Sequence, residues 1–212
     1  MSTIVSYALT NLADVKESLG ITNTSKDNLI IRKINAATDM IEKYCGRRFI
    51  STLYTDEYYD IDGGRTINLL NYPVISFTSL AERDTTQNIN SWTTVDTEFY
   101  FVDGSAGIVE LLYGMGSGWK RYKATYTAGY ATIPSDLAEA CATLAGYLVA
   151  QNPATIDSRI VQEGQRKQEF FDTSASTADI FQRLGIADVI DSYATVLISG
   201  RQWQSFSLAT VL

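Results

Sequence analysis

The chain has 212 residues, of which 45% are hydrophobic and 19% charged, a mixture that can bury a sizeable core and that excludes an intrinsically disordered chain. Its 24 acids and 17 scattered bases give a formal net charge of −7, which argues against tight gripping of nucleic-acid phosphates and permits an acidic surface that DNA passes without sticking. Histidine is absent and only Cys45 and Cys141 carry thiols, so His-dependent triads, most zinc centres and a disulfide-stapled scaffold are excluded, and two free thiols in a reducing compartment are expected.

The opening "MSTIVSYALTNLADVKESLG" carries acids and no basic n-region, unlike a secretion signal. It reads as a first helix. Asn11 is an N-cap with Asp14 three residues on, Leu12, Val15 and Leu19 share a face, and Gly20 suits a left-handed C-cap. Thr24 and Asp27 repeat the cap pattern before a second, longer helix, in which Ile30, Ile34, Ala37, Met40, Ile41 and Tyr44 keep steps of three and four. It ends at "YCGRRF". Arg47 and Arg48 beside Cys45 raise the alternatives of an activated thiol, an anion site or a plain helix end. The residue pattern favours the helix end. Cys45 continues the stripe from Ile41, Gly46 stops the helix, the two arginines meet the negative end of its dipole, and Phe49 folds back over it.

From Ile50 to about Tyr130 short β-favouring runs alternate with turn residues. "TLYTDEYYDI" is followed by a hairpin turn at Asp62–Gly64 and a return strand "TINLL". "YPVISFTSLAER" predicts a strand with Ile75 and Phe77 on one face. "EFYFV" and "GIVELL" flank a second hairpin turn, "DGSAG". "RYKATYTAGY" places Tyr122, Ala124 and Tyr126 on one side and Lys123 and Thr125 on the other. About six strands at this spacing suggest a small antiparallel sheet or an open barrel.

Helix returns at "IPSDLAEACATLAGYLVAQNP", with Pro134 in the first turn and Asp136 at the positive end. Leu137, Cys141, Leu144 and Leu148 form its stripe, and Ala138, Ala142, Ala145 and Gly146 allow close approach of another helix, expected to be the second one. Beyond it, "TIDSRIVQEGQRKQEFFDTSAS" is polar and predicted to be an extended arm. Ser176 with Asp179 caps a short helix through Leu184 to Gly185, and "ADVIDSYATVLIS" fits helix and strand equally. The final "GRQWQSFSLATVL" carries Trp203, Phe206 and Leu208 without a matching polar face, either folded back on the domain or available for docking. The expected architecture is α+β: a helical core of residues 1–49 and 131–151, an inserted antiparallel β lobe of residues 50–130, and a C-terminal arm of residues 152–212.

Two motifs invite chemistry. "YGMGSGWKR" loosely resembles a phosphate loop, but its glycines lack the P-loop spacing and strands lie on both sides, so a β-turn is expected. Asp56, Glu57, Asp60 and Asp62 form an acidic run without the spacing of a calcium loop, and strand alternation splits it between two faces, so a solvated rim is expected. No cofactor or metal is implied, and no apolar run reaches the roughly 20 residues of a membrane span.

The order of "TNLADVKESLGI", "DNLIIRKINAATDMIEKYCGRRF", "YPVISFTSL" and "KATYTAGYATIPSDLAEACATL", over about residues 8–150, resembles the head–tail connector, or adaptor and head-completion, proteins of tailed bacteriophages. The resemblance implies a non-enzymatic virion component, made in the host cytoplasm and placed at the head–tail junction. There it forms a ring, commonly of twelve copies, beneath the portal protein, extends the DNA channel, and presents a platform to a downstream connector, stopper or tail protein. It also implies a docking role, on the portal or a neighbouring copy, for Tyr193, Leu197, Ile198, Trp203, Phe206 and Leu208. Asp56, Glu57, Asp60 and Asp62 become candidate channel-facing acids. The alternative is a small ligand-binding or phosphate-acting protein that uses the aromatics of the β lobe, the Gly114–Gly118 loop and Lys120.

Overall fold

The computed structural model describes residues 2–83, 90–114, 116–151 and 176–194. The chain is α+β and falls into two compact units. The described residues of the first lie in Met1–Ile50 and Thr132–Ala194, and those of the second in Ser51–Ala131.

The first unit is helical: α1 (Leu12–Ser18), α2 (Asp27–Cys45), α3 (Ser135–Ala150), α4 (Thr177–Leu184) and α5 (Ala187–Tyr193). Asn11 caps α1 by accepting from the Asp14 backbone N–H at 3.0 Å. The start of α2 differs from the sequence expectation. The helix begins at Asp27, so Lys26 occupies the cap position with no side-chain bond, and Thr24 contributes only its carbonyl to the preceding turn. Asp27 instead pairs with Lys16 at 2.8 Å and places its negative charge in the first helical turn. At the other end Gly46 adopts φ 71°, a left-handed conformation that costs glycine no Cβ clash.

The stripes of α2 and α3 pack together. Ile30, Ile34, Ala37, Ile41 and Cys45 on α2, and Leu137, Cys141, Leu144 and Ala145 on α3, are all buried. Thr38, also buried, brings its hydroxyl within 3.7 Å of the Cys141 Sγ. Near the end of α3 the stripe moves by one residue: Val149 is buried and Leu148 only partly. A Cβ on Gly146 would lie 3.5 Å from Leu19 Cδ2, an ordinary van der Waals contact, so the packing of α1 here does not depend on glycine.

α4 opens with a reciprocal capping box between Ser176 and Asp179. Of the segment after Gly185, which sequence periodicity left undecided, Ala187–Tyr193 is helical as α5, and the residues from 195 on lie outside the described residues. Ile190 is fully buried, and its carbonyl accepts from the Cys45 thiol at 3.6 Å. Phe181 of α4 is also buried and meets the Tyr44 ring edge-on at 5.1 Å. Both helices therefore pack into the helical unit, although they fall within the stretch read from sequence as an arm. The polar segment predicted to be extended lies outside the described residues.

The second unit holds two antiparallel sheets. One is ordered β1 (Thr52–Ile61), β7 (Gly118–Ala128), β3 (Val74–Arg83), β4 (Trp92–Thr94); the other is ordered β2 (Thr66–Asn68), β6 (Ile108–Leu111), β5 (Tyr100–Asp103). The β5–β6 hairpin forms as the sequence predicts, its turn held by Asp103, which accepts from the N–H groups of Ser105 and Ala106 at 3.0 and 3.1 Å. The predicted β1–β2 hairpin does not form. Gly63 and Gly64 turn the chain at φ 104° and 97°, but the turn carries it from one sheet to the other. Ten-residue β1 finds a longer ladder along eleven-residue β7 than three-residue β2 can offer.

Tyr122, Ala124 and Tyr126 of β7 point inward as expected and build the core with Ile67, Leu80, Val109 and Tyr59. Ile75 does not share the surroundings of Phe77. A register shift between Val74 and Ser76 makes Ile75 the extra residue of a bulge and leaves it exposed, whereas Phe77 packs on Tyr100 and Tyr126.

Candidate assembly surface

The end of α2 resolves the question posed by Cys45. Its thiol is 1% exposed, and burial pushes its pKa up to about 12, with Arg47 acting in the opposite direction. Cys141 is likewise pushed up to about 12 by burial. The arginines are engaged nearby. Arg47 lies over the Phe49 ring at 5.1 Å, and Arg48 lies over Tyr7 at 4.0 Å and pairs with Glu42 at 3.5 Å. Burial raises the Glu42 pKa, opposed by the Phe49 backbone N–H, which donates to its carboxylate at 3.3 Å. Phe49 is fully buried and closes the helix end. This is a structural cap over a buried thiol.

The four acids of the β1 run have separate environments. Glu57 accepts hydrogen bonds from the Tyr59 and Tyr126 hydroxyls and from Asn71 Nδ2. Burial, aided by the carboxylate, pushes both phenols well above the usual tyrosine range. Asp56, at φ 53°, pairs with Lys123 at 3.0 Å. Asp60 accepts from the Lys120 backbone N–H at 2.7 Å. Asp62 lines a groove of about 760 Å³ with Tyr58, Tyr72, Trp119 and Lys120. Among the described residues no group of three acidic or cysteine side chains is placed to hold a metal ion, and no helix is long and apolar enough to cross a membrane. The glycine-rich stretch connects β6 to β7, so no helix N-terminus follows it to receive a phosphate.

Tyr193 donates from its hydroxyl to both Asp136 oxygens, at 2.9 and 3.0 Å, and sets its ring edge-on to Phe49 at 5.8 Å. The other sequence-predicted docking residues, Leu197, Ile198, Trp203, Phe206 and Leu208, lie outside the described residues.

Sequence reasoning missed two exposed patches on the β unit. The first alternates rings and cations on the four-stranded sheet. Tyr58 of β1 lies 5.7 Å from Trp92 of β4. Lys120 lies 5.0 Å from the Tyr58 ring and 4.6 Å from Trp119; Lys123 lies 5.0 Å from Trp92; and Arg83 lies 5.0 and 5.8 Å from Trp92 and Trp119. Trp119 is nevertheless 66% exposed. Lys120 has φ 46° and stands where the β1–β7 register shifts between Tyr59 and Ile61, a bulge that re-aims the side chains around it. The outward position of Lys123 was legible in the alternation of β7. Its meeting with Trp92, which Arg83 also covers, depends on the β3–β4 and β3–β7 pairings, for which the sequence carries no local signal.

The second patch belongs to the three-stranded sheet. Phe101 is 68% exposed, Tyr113 62% and Leu112 57%. Phe99 joins them, its ring 5.5 Å from Tyr113 and its carbonyl accepting from the Leu112 N–H at 2.9 Å. Glu98, Glu110 and Arg65 border a shallow groove among them.

Comparison with known proteins places this geometry. Three solved structures resemble the chain, each at 20% identity. The neck of an empty GTA particle, computed with C6 symmetry, gives a TM-score of 0.56 and covers 95% of this chain and 98% of the other. The neck of a native GTA particle, computed with C12 symmetry, gives 0.52 with the same coverage. The virion of a native gene transfer agent particle gives 0.52, covering 94% and 96%. These likenesses establish a shared fold. No curated protein sequence matches significantly. The family described as "Head completion protein" matches residues 8–166, spanning both the helical unit and the β lobe, and the chain therefore belongs to the head completion protein family.

Proposed function

We propose that this protein is a non-catalytic virion component that closes the DNA-filled head. In this reading, copies of it form a ring beneath the portal, extend the DNA channel and present a platform to the next connector or to the tail. The observation that carries the reading is the family match over residues 8–166; the likeness of nearly the whole chain to proteins of particle necks is consistent with it. A ring of identical subunits needs a contact between two different patches of each copy, and the β lobe has exposed area to spend on one. A formal charge of −7 per copy, repeated around a channel, disfavours adsorption of passing DNA. Asp56, Asp60 and Asp62 remain proposed channel-facing acids. Glu57 is the weakest of the four, since its carboxylate already accepts from two largely buried tyrosines. The segment from Tyr193 to Leu212, with Leu197, Ile198, Trp203, Phe206 and Leu208, is proposed to dock on the portal or a neighbour.

Electron microscopy of the purified protein mixed with purified portal tests this reading. A ring seated on the portal is expected, and persistent monomers beside bare portals would overturn it. Deleting Gly200–Leu212 should leave a folded subunit that no longer joins the portal. Normal docking of the truncated chain would remove the proposed role of the tail while leaving the ring intact.

A further inference from the structure

We infer that the two exposed patches of the β lobe are the two halves of one contact between neighbouring copies of this chain. The face built on Tyr58, Trp92, Trp119, Arg83 and Lys120 of one copy receives the Phe99, Phe101, Leu112 and Tyr113 patch of the next, with Glu98 and Glu110 meeting Arg83 and Lys120. The inference rests on the ring reading above and names the surfaces that make the ring.

Charge is the first argument. The chain is acidic overall at −7, so copies brought side by side repel unless local cations meet local anions. The described part of the β lobe places Arg83, Lys120 and Lys123 together over aromatic rings. Lys123 is already paired with Asp56 at 3.0 Å, and Asp60 and Asp62 stand beside Lys120; Arg83 and Lys120 are the cations assigned to the partner. The other patch carries two exposed carboxylates, Glu98 and Glu110, against one arginine, Arg65. The first face thus holds both signs, with Asp60 and Asp62 beside Lys120, and the proposed contact sets its Arg83 and Lys120 against Glu98 and Glu110.

Composition and symmetry point the same way. Tryptophan, tyrosine and arginine are the side chains that dominate the energy of protein contacts, because each buries a large rigid surface and keeps a polar edge. Exposed phenylalanine and leucine supply the apolar counterpart. A contact between unlike patches is heterologous, so it propagates from copy to copy and closes only if the rotation between them divides a full turn. A self-complementary patch would stop at a dimer. The pairing is also internally economical: both halves lie in one compact unit, so the contact does not require the helical unit to rearrange.

The test uses the full chain and two charge-reversed forms, R83E/K120E and E98K/E110K, each mixed with purified portal and scored for rings by electron microscopy and native mass spectrometry. Circular dichroism is recorded first to establish that each form is folded. The wild type is expected to form rings, and each variant alone at least about tenfold fewer. An equimolar mixture of the two variants should recover rings in which the forms alternate. In such a mixture every contact joins either two reversed patches or two native ones, so recovery cannot come from a merely misfolded variant. The chain carrying all four substitutions should also recover. Rings formed by both single-patch variants, or a mixture and a fourfold variant that stay unassembled, would overturn the assignment of these patches. Failure of the wild type itself to form rings would instead overturn the ring reading and this contact with it.

Discussion

The helical unit and the β lobe use their apolar residues in opposite ways. Of the ten large hydrophobic side chains left exposed among the described residues, nine belong to the β lobe, and the tenth, Tyr44, belongs to the helical unit. Even Tyr44 is engaged, its ring against Phe181 and its hydroxyl donating to Asp191 at 2.7 Å. The helices turn their stripes inward and satisfy one another. The sheets turn one face inward and keep rings on the other, where they add little to the fold. A unit built this way offers surface to something outside itself, and the difference between the two units can be measured.

The largest expected contrast is chemical. Cys45 and Cys141 are pushed from 9.0 up to about 12 by burial. A thiol with a pKa of about 12 holds about 1,000-fold less thiolate at pH 8 than an ordinary exposed thiol, and thiolate is the reacting species. Native protein should therefore alkylate about three orders of magnitude more slowly than a Phe101→Cys variant does at its new, exposed thiol. Comparable rates, read by mass spectrometry of the labelled protein, would mean that the helical unit opens readily and that the contrast between units is wrong.

Stability provides the next contrast. Leu144 is fully buried in α3, and Leu144→Ala should lower the unfolding free energy by about 2–5 kcal/mol in a denaturant titration. Phe101→Ala, on the open face of the β lobe, should stay within about 0.5 kcal/mol. Within the β lobe itself the inner face matters: Tyr126→Phe keeps the ring and removes one of the hydroxyls that Glu57 accepts from. The expected cost is about 1–3 kcal/mol, because a partly buried carboxylate loses a donor. A loss for Tyr126→Phe as small as that for Phe101→Ala would show that the Glu57 network contributes nothing to the lobe.

Much of the helical unit was legible in the sequence because its signals are local. Asn11, Gly20, Gly46, Ser176 and Gly185 mark helix ends by properties of their own side chains and backbones, and the stripe of α2 needs no knowledge of its partner. The start of α2 shows the limit, since Thr24 has the chemistry of a cap and stands two residues before the cap position, which Lys26 occupies. In α5 burial of Ile190 against the α2 end, a long-range contact, selected helix where periodicity was silent. The β lobe was legible strand by strand and not in its pairing. The turn at Gly63 and Gly64 has the same residues whether it closes a hairpin or passes the chain to a second sheet. The candidate surface shares that limit: Trp92 reaches Lys123, and Arg83 reaches Trp119, only because β4 and β7 both pair with β3.

Another small expected effect is also the sharpest test of what those rings are for. Trp119 is 66% exposed and meets Arg83 and Lys120 as a neighbour of cations at 5.8 and 4.6 Å. Exposed cation–π contacts contribute about 0.5–1 kcal/mol, and little apolar area leaves water when the β lobe folds around this side chain. Trp119→Ala should therefore cost at most about 1 kcal/mol of stability. A loss approaching that of Leu144→Ala would place Trp119 among the residues that build the lobe. A loss near zero would mean that the fold gives no reason for a tryptophan to stand in water at this position, and that the reason lies in whatever the lobe touches.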